Sequence, residues 1–197
     1  SGELIHAGSG LDFSNKDFLG KENAPIIITM YGDLQDPFSG KFFRETLPQI
    51  KLEYLNGEDV KFYFKHFTLN SIHPFAQKAA EGAECAKEQG RYFDFLEYMF
   101  DNQNELSVSD LKTAFSILGM NSNKFSECLD SSKYKSKVES DTKEAQSKGG
   151  KGTPYFTIDD KSISGAQPFS EFKKVIDNQI KNRIGPIKQI EPKGKVR

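Results

Sequence analysis

The chain has no tryptophan and only two cysteines, Cys85 and Cys128, in 197 residues. Cysteines this far apart in sequence make neither a CxxC redox motif nor a zinc-ligand set, which leaves a structural bridge or two buried thiols. Long apolar runs are also missing. The longest, Ile26 to Met30, falls well short of the roughly 20 residues that cross a bilayer. No sign of charge dominates: 27 Lys and Arg stand against 28 Asp and Glu, for a net charge of −1. No broad phosphate-tracking face can follow from that balance, so nucleic acid is excluded as a partner. The one local exception is the C-terminus, where Lys181, Arg183, Lys188, Lys193, Lys195 and Arg197 outnumber Glu191 among Gly185, Pro186, Pro192 and Gly194, the pattern of a solvated basic tail. There is no glycine-rich phosphate loop and no hydrolase elbow, so no cofactor is expected and Ser39 is not read as a nucleophile.

What is present suits one soluble globular domain: 36% hydrophobic residues, 17 of them phenylalanine, and 28% charged residues. Residues 1–20 carry Gly2, Gly8, Gly10 and Gly20 with little periodicity and read as an N-terminal arm. The start Ser1-Gly2 reads as a cloning remnant, which implies that an export signal or anchor has been trimmed away. Pro25 to Tyr31 is short, apolar and β-branched, as a strand buried on both faces would be. From Pro37 to Asn56 the spacing of Phe38, Phe42, Phe43, Leu47, Ile50, Tyr54 and Leu55 predicts a helix, stopped by Gly57 and kinked at Pro48. Val60 to Phe67 alternates and reads as a second strand, so the first unit is a parallel β-α-β crossover.

Helical periodicity then runs through residues 74–148, with Ser107 and Asp110 as a capping box before Val108. The period returns to two at Tyr155 to Ile158, turns at Asp159-Asp160 and resumes at Ser162 to Ser164, a hairpin. A final helix begins at Phe169 and ends near Asn182, and the tail occupies 183–197. The order is β-α-β, a helical block, then β-β-α: an α/β fold in thioredoxin order with a helical insertion of about residues 74–148 inside a domain spanning 21–182.

Two short segments stand out chemically. In Gln35-Asp36-Pro37-Phe38-Ser39, Asp36 has the side chain of an N-cap and Pro37 suits the first helical position, so a capped helix alone accounts for them. Lys151-Gly152-Thr153-Pro154-Tyr155 opens the late strand, and its proline is either an ordinary edge or turn proline or a cis-proline. His66 and His73 fall near the C-terminal edge of the sheet, but with His6 they match no metal-ligand spacing, and no metal site with Asp36 is expected.

Together the segments resemble the DsbA-like thiol oxidoreductases of the thioredoxin superfamily, over about residues 20–182. Members carry a Cys-Pro-Phe-Cys type motif ahead of Glu-Thr-Leu-Pro, and here Asp33-Leu34-Gln35-Asp36-Pro37-Phe38-Ser39 leads to Glu45-Thr46-Leu47-Pro48. Further matches are Lys65-His66-Phe67-Thr68-Leu69, His73-Pro74-Phe75-Ala76, Gly152-Thr153-Pro154-Tyr155-Phe156 and Ser164-Gly165-Ala166-Gln167-Pro168-Phe169. The resemblance implies a thiolate at position 36 and a resolving thiol at 39. Asp36 and Ser39 supply neither, so the expectation is a degenerate site without dithiol exchange. It also implies a cis-proline at Pro154, a groove lined by Phe38, Thr153, Pro154 and Tyr155, and a structural disulfide between Cys85 and Cys128. Gly150, where relatives carry Val, is expected to loosen the cis-proline loop.

The reading that follows is an extracytoplasmic, non-redox protein that binds an extended polypeptide, a partner domain or a small ligand through the former substrate groove, with any membrane link made only through a removed signal or anchor. The alternatives are an engineered or atypical thiol:disulfide oxidoreductase and a structural or assembly protein of the cell envelope.

Overall fold

The computed structural model describes residues 17–184, which hold a five-stranded sheet in the order β1-β3-β2-β4-β5. The strands are β1 (Phe18–Gly20), β2 (Ile26–Gly32), β3 (Val60–His66), β4 (Tyr155–Ile158) and β5 (Lys161–Ser164). β2 and β3 pair in parallel, and the other pairs are antiparallel. β2 lies in the centre between β3 and β4, and its apolar run is buried at six of seven positions. β3 alternates as its sequence does, with Val60, Phe62, Phe64 and His66 turned into the protein. Phe18–Gly20, the end of the stretch read as an arm, pairs with Lys61–Tyr63 as an edge strand. Only Leu19 of the three is buried, too short a pattern for periodicity to reveal.

The helix after β2, here α1, runs continuously over residues 37–55, and Pro48 does not break it. Proline has no N–H and its ring would strike the carbonyl four residues back. The chain avoids that clash by widening to a π turn over Phe42–Thr46, in which the Leu47 N–H bonds Phe42 O five residues back. The disturbance expected at Pro48 is present as this π turn. α1 drives Phe42 into the centre of the molecule, its ring centroid 4.5 Å from Phe156, 5.2 Å from Phe172 and 6.1 Å from Phe62. With no tryptophan available, these phenylalanines fill the layer between the sheet, α1 and the last helix.

The insertion supplies α2 (Ala76–Lys87), α3 (Tyr92–Asp101), α4 (Val108–Ile117), α5 (Ser122–Asp130) and α6 (Lys135–Ser147), and α7 (Phe169–Ile184) follows the hairpin. The Ser107–Asp110 capping box opens α4, and α5 is capped by Asn121, whose side chain accepts from the Lys124 N–H at 3.0 Å. α2 is alanine-rich and almost wholly buried, so α5 approaches closely enough for a Cys85–Cys128 disulfide, Cα–Cα 6.0 Å. Phe115 stacks on Phe125 at 3.6 Å in the same block. Because side chains alternate along β2 and β4, Met30 and Phe156 face the α1 layer while Tyr31 and Tyr155 face α6, where Phe67 and Ala145 complete a second small core. This is a thioredoxin fold with a helical insertion between its halves. The basic tail beyond Ile184 lies outside the described residues.

Candidate functional site

The parallel register sets Gly32 beside His66, and the antiparallel register sets Tyr31 beside Tyr155. Carried one step further, it brings Thr153-Pro154 alongside Gly32-Asp33. The loop 33–36, the loop 67–75 and the segment 149–154 therefore meet at one end of the sheet, where α1 begins.

Asp36 is the N-cap of α1, with Pro37 in the first turn. Its carboxylate accepts from the N–H of Phe38 at 3.2 Å, the N–H of Ser39 at 2.8 Å and the Ser39 hydroxyl at 2.8 Å. Ser39 Oγ in turn accepts from the Asp33 N–H at 3.3 Å. Both side chains are buried, and the negative charge faces the positive end of the helix. The hydroxyl bonds a carboxylate and a backbone amide rather than an imidazole, so nothing here activates it as a nucleophile.

Asp33 organises the neighbouring loops. Oδ1 accepts from the Gln35 N–H at 2.8 Å, and Oδ2 accepts from the Leu69 N–H and from His73 Nδ1, both at 2.9 Å. Gln35 Oε1 accepts from the Phe75 N–H at 2.8 Å, and Gln103 Nε2 donates to the Leu34 and Asp36 carbonyls, both at 2.9 Å. The insertion is thus fastened to the start of α1. Around this polar knot Phe38, Ile72 and Phe75 remain exposed, Phe38 by 61%.

The Thr153–Pro154 peptide is cis, and the Pro154 carbonyl accepts from the Gly165 N–H at 2.8 Å. Pro154 is buried, and Thr153 Oγ1 is a buried atom with no hydrogen-bond partner. Tyr155 does not share the surface with Phe38. It is 4% exposed, its ring lies 6.2 Å from Tyr31 and its hydroxyl donates to Lys148 O at 2.6 Å. Gly150 does the opposite of loosening its loop: a Cβ there would lie 2.9 Å from Ala145 O and 3.1 Å from the Phe67 ring, so the bare backbone is what allows the close approach.

The two histidines near this end part company. His73 joins Asp33, but His66 turns away from Asp36 and places Nε2 3.1 Å from Glu84 Oε1, with the Tyr92 hydroxyl 3.4 Å from the same nitrogen. Asp141 Oδ2 accepts from the His66 N–H at 3.4 Å. Burial opposes the charge on Glu84, but the His66 hydrogen bond and the charges of His66, Lys87 and Lys137 outweigh it and bring its carboxyl down to about 2. Sequence spacing had not joined these three residues, because they come from β3, α2 and α6.

A family sequence profile described as Thioredoxin matches residues 14–178. The chain belongs to the thioredoxin family. Within that family it is DsbA-like: among solved structures, oxidised BdbD from Bacillus subtilis superimposes with a TM-score of 0.77 at 25% identity, covering 85% of this chain and 94% of that one. α-DsbA1 of Wolbachia pipientis gives a TM-score of 0.73 at 26% identity over 88% and 95% of the two chains. Disulfide bond formation protein D of Bacillus subtilis is 25% identical over 173 residues, 84% of this thioredoxin-family chain and 77% of that protein. Na(+)/H(+) antiporter NhaA 3 of Salinispora tropica is 27% identical over 146 residues, 74% of this chain. The chain spans about a quarter of the length of the antiporters it matches, 22% in that case and 26% in NhaA 1 of Salinispora arenicola. Among the described residues no helix is long and apolar enough to cross a membrane.

Proposed function

We propose that this DsbA-like protein binds an extended polypeptide, without dithiol exchange, at the surface around Phe38, Thr153 and Pro154. The observation that carries this reading is the buried, unpartnered Thr153 hydroxyl beside a cis-proline, at the same end of the sheet as a phenylalanine that is 61% exposed. An unpaired buried hydroxyl costs free energy until a ligand group bonds it, and an exposed aromatic ring offers apolar area to the same ligand. Asp36 and Ser39 carry no sulfur, so contact here ends in binding rather than in a mixed disulfide. The one disulfide, Cys85–Cys128, is buried, and that burial supports a structural role for it rather than exchange with a substrate thiolate. That bridge supports an oxidising, extracytoplasmic setting.

The test is a titration of the full chain with a carboxymethylated, permanently unfolded protein, followed by backbone amide NMR. Shifts concentrated at Phe38, Ser39 and Thr153, with at least tenfold weaker binding for Phe38→Ala, are expected from burying one ring. Shifts that are absent, or that gather elsewhere, refute the reading.

A second reading is favoured by the antiporters among the relatives: a domain of this kind working beside a membrane carrier, as an assembly module of the cell envelope. Co-purification of the full chain with a membrane protein through a surface that Phe38→Ala leaves intact is its expected sign.

A further inference from the structure

One cluster is untouched by that reading. His66, Glu84 and Asp141 are 1%, 4% and 4% exposed, and one nitrogen or oxygen ligand atom of each lies within 4.8 Å of the others. They are brought together from the end of β3, from α2 and from α6, so the sheet and both ends of the insertion contribute. Two carboxylates this deeply buried require positive charge close by. Besides His66 itself, that charge is supplied by two lysines: Lys137 Nζ lies 2.5 Å from Asp141 Oδ2, and Lys87 Nζ, paired with Asp17 at 3.1 Å, lies 3.9 Å from Glu84 Oε2. The lysine side chains are 42% and 28% exposed, and they reach in through a cleft of about 390 Å³ whose wall includes Glu84, Lys87, Lys137 and Asp141.

We propose that His66, Glu84 and Asp141 bind a divalent cation, with the lysine ammonium groups as displaceable stand-ins. One imidazole nitrogen and two carboxylates make a donor set suited to zinc or manganese rather than to an ion that takes oxygen ligands alone. Around such an ion, ligand atoms stand about 3.0–3.4 Å apart. His66 Nε2 and Glu84 Oε1 are already 3.1 Å apart, so Asp141 makes most of the adjustment, by rotating its side chain. The Tyr92 hydroxyl lies beside the same two ligand atoms, 3.4 Å from His66 Nε2 and 3.5 Å from Glu84 Oε1. The cleft is the entry path. Bound there, the ion would tie α2 and α6 to the end of β3, just before the loop that Asp33 holds.

The experiment is equilibrium dialysis and thermal unfolding of the full chain with Zn²⁺, Mn²⁺ and Ca²⁺ separately. Expected are one equivalent of Zn²⁺ or Mn²⁺ bound and a midpoint raised by ~5 °C. Glu84→Gln and Asp141→Asn, checked for folding by circular dichroism, should each weaken binding by at least tenfold. Lys137→Met removes the competing ammonium without touching a ligand, and should tighten binding severalfold. Glu139→Gln, which removes an exposed carboxylate from the helix that carries Asp141, should leave it unchanged. Binding that survives Glu84→Gln and Asp141→Asn, or is lost with Glu139→Gln, overturns the site. Binding of Ca²⁺ alone overturns the nitrogen ligand, and no binding by any ion overturns the proposal. None of these outcomes depends on polypeptide binding at Phe38.

Discussion

Asp36→Ala is the most informative single substitution, because the structure assigns that carboxylate three hydrogen bonds at once. Removing it uncaps α1, which costs about 1 kcal/mol. It also strands the Ser39 N–H and hydroxyl in a place where Ser39 is fully buried, adding about 1–2 kcal/mol for groups left without partners. The expected loss is therefore about 2–3 kcal/mol. With a urea m-value of about 2 kcal/mol/M, the unfolding midpoint falls by about 1 M. Asp36→Asn keeps the shape and one acceptor and should lose roughly half as much. Because Asp36 and Ser39 share a bond, Asp36→Ala combined with Ser39→Ala should cost less than the sum of the separate losses. A shift of under about 0.2 M for Asp36→Ala would show that water replaces the carboxylate at no cost. The picture of Asp36 as the centre of a buried polar knot would then be wrong.

Three further outcomes follow from other parts of the molecule. Cys85→Ala with Cys128→Ala releases a loop closed over 43 residues and should cost about 4 kcal/mol on the chain-entropy account, and reduction of the parent should lower the urea midpoint by a similar amount. Gly150→Ala drives a methyl group to 2.9 Å from a backbone oxygen and should destabilise by about 1–3 kcal/mol in the same assay, where a looser loop would have tolerated it. Glu144 accepts from Tyr31 Oη at 2.8 Å and Lys65 Nζ at 2.6 Å. Burial opposes its charge, but those bonds prevail and lower its carboxyl below the ordinary range. A depressed folded value means that its stabilisation is complete above the unfolded carboxylate pKa and is lost as pH falls through the folded one. Glu144→Gln should thus cost about 1 kcal/mol near neutrality, and the gap from the parent should close in acid denaturation series.

Local patterns made most of the fold legible. The β-branched run at Ile26, the alternation from Val60 and the helical spacing from Pro37 each name the element that the folded chain forms there. The Asp36 cap and the Ser107 capping box were equally readable, since both are local bonds within four residues. What escaped depends on partners distant in sequence. The burial of Tyr155 follows from its register opposite Tyr31, which turns it toward α6 and away from Phe38. The tight seat of Gly150 follows from Phe67 and the Ala145 carbonyl, on other elements. Glu84 and Asp141 look like ordinary helix-surface acids until α2 and α6 fold against His66, and only a pair of buried carboxylates in three dimensions gives them away. Pro48 shows a different limit: proline predicts a disturbance, and the sequence does not state that it takes the form of a π turn over Phe42–Thr46.

Whether the DsbA-like scaffold binds polypeptide without exchanging thiols, as proposed, is tested most directly by one comparison. Oxidation of a reduced dithiol peptide should be followed for the parent chain beside a variant carrying Asp36→Cys and Ser39→Cys. The account predicts no oxidation by the parent and restored oxidation by the variant, with scaffold and binding surface competent and only the sulfur chemistry missing. Oxidation by the parent would mean that Cys85 and Cys128 exchange with substrate, and would contradict it.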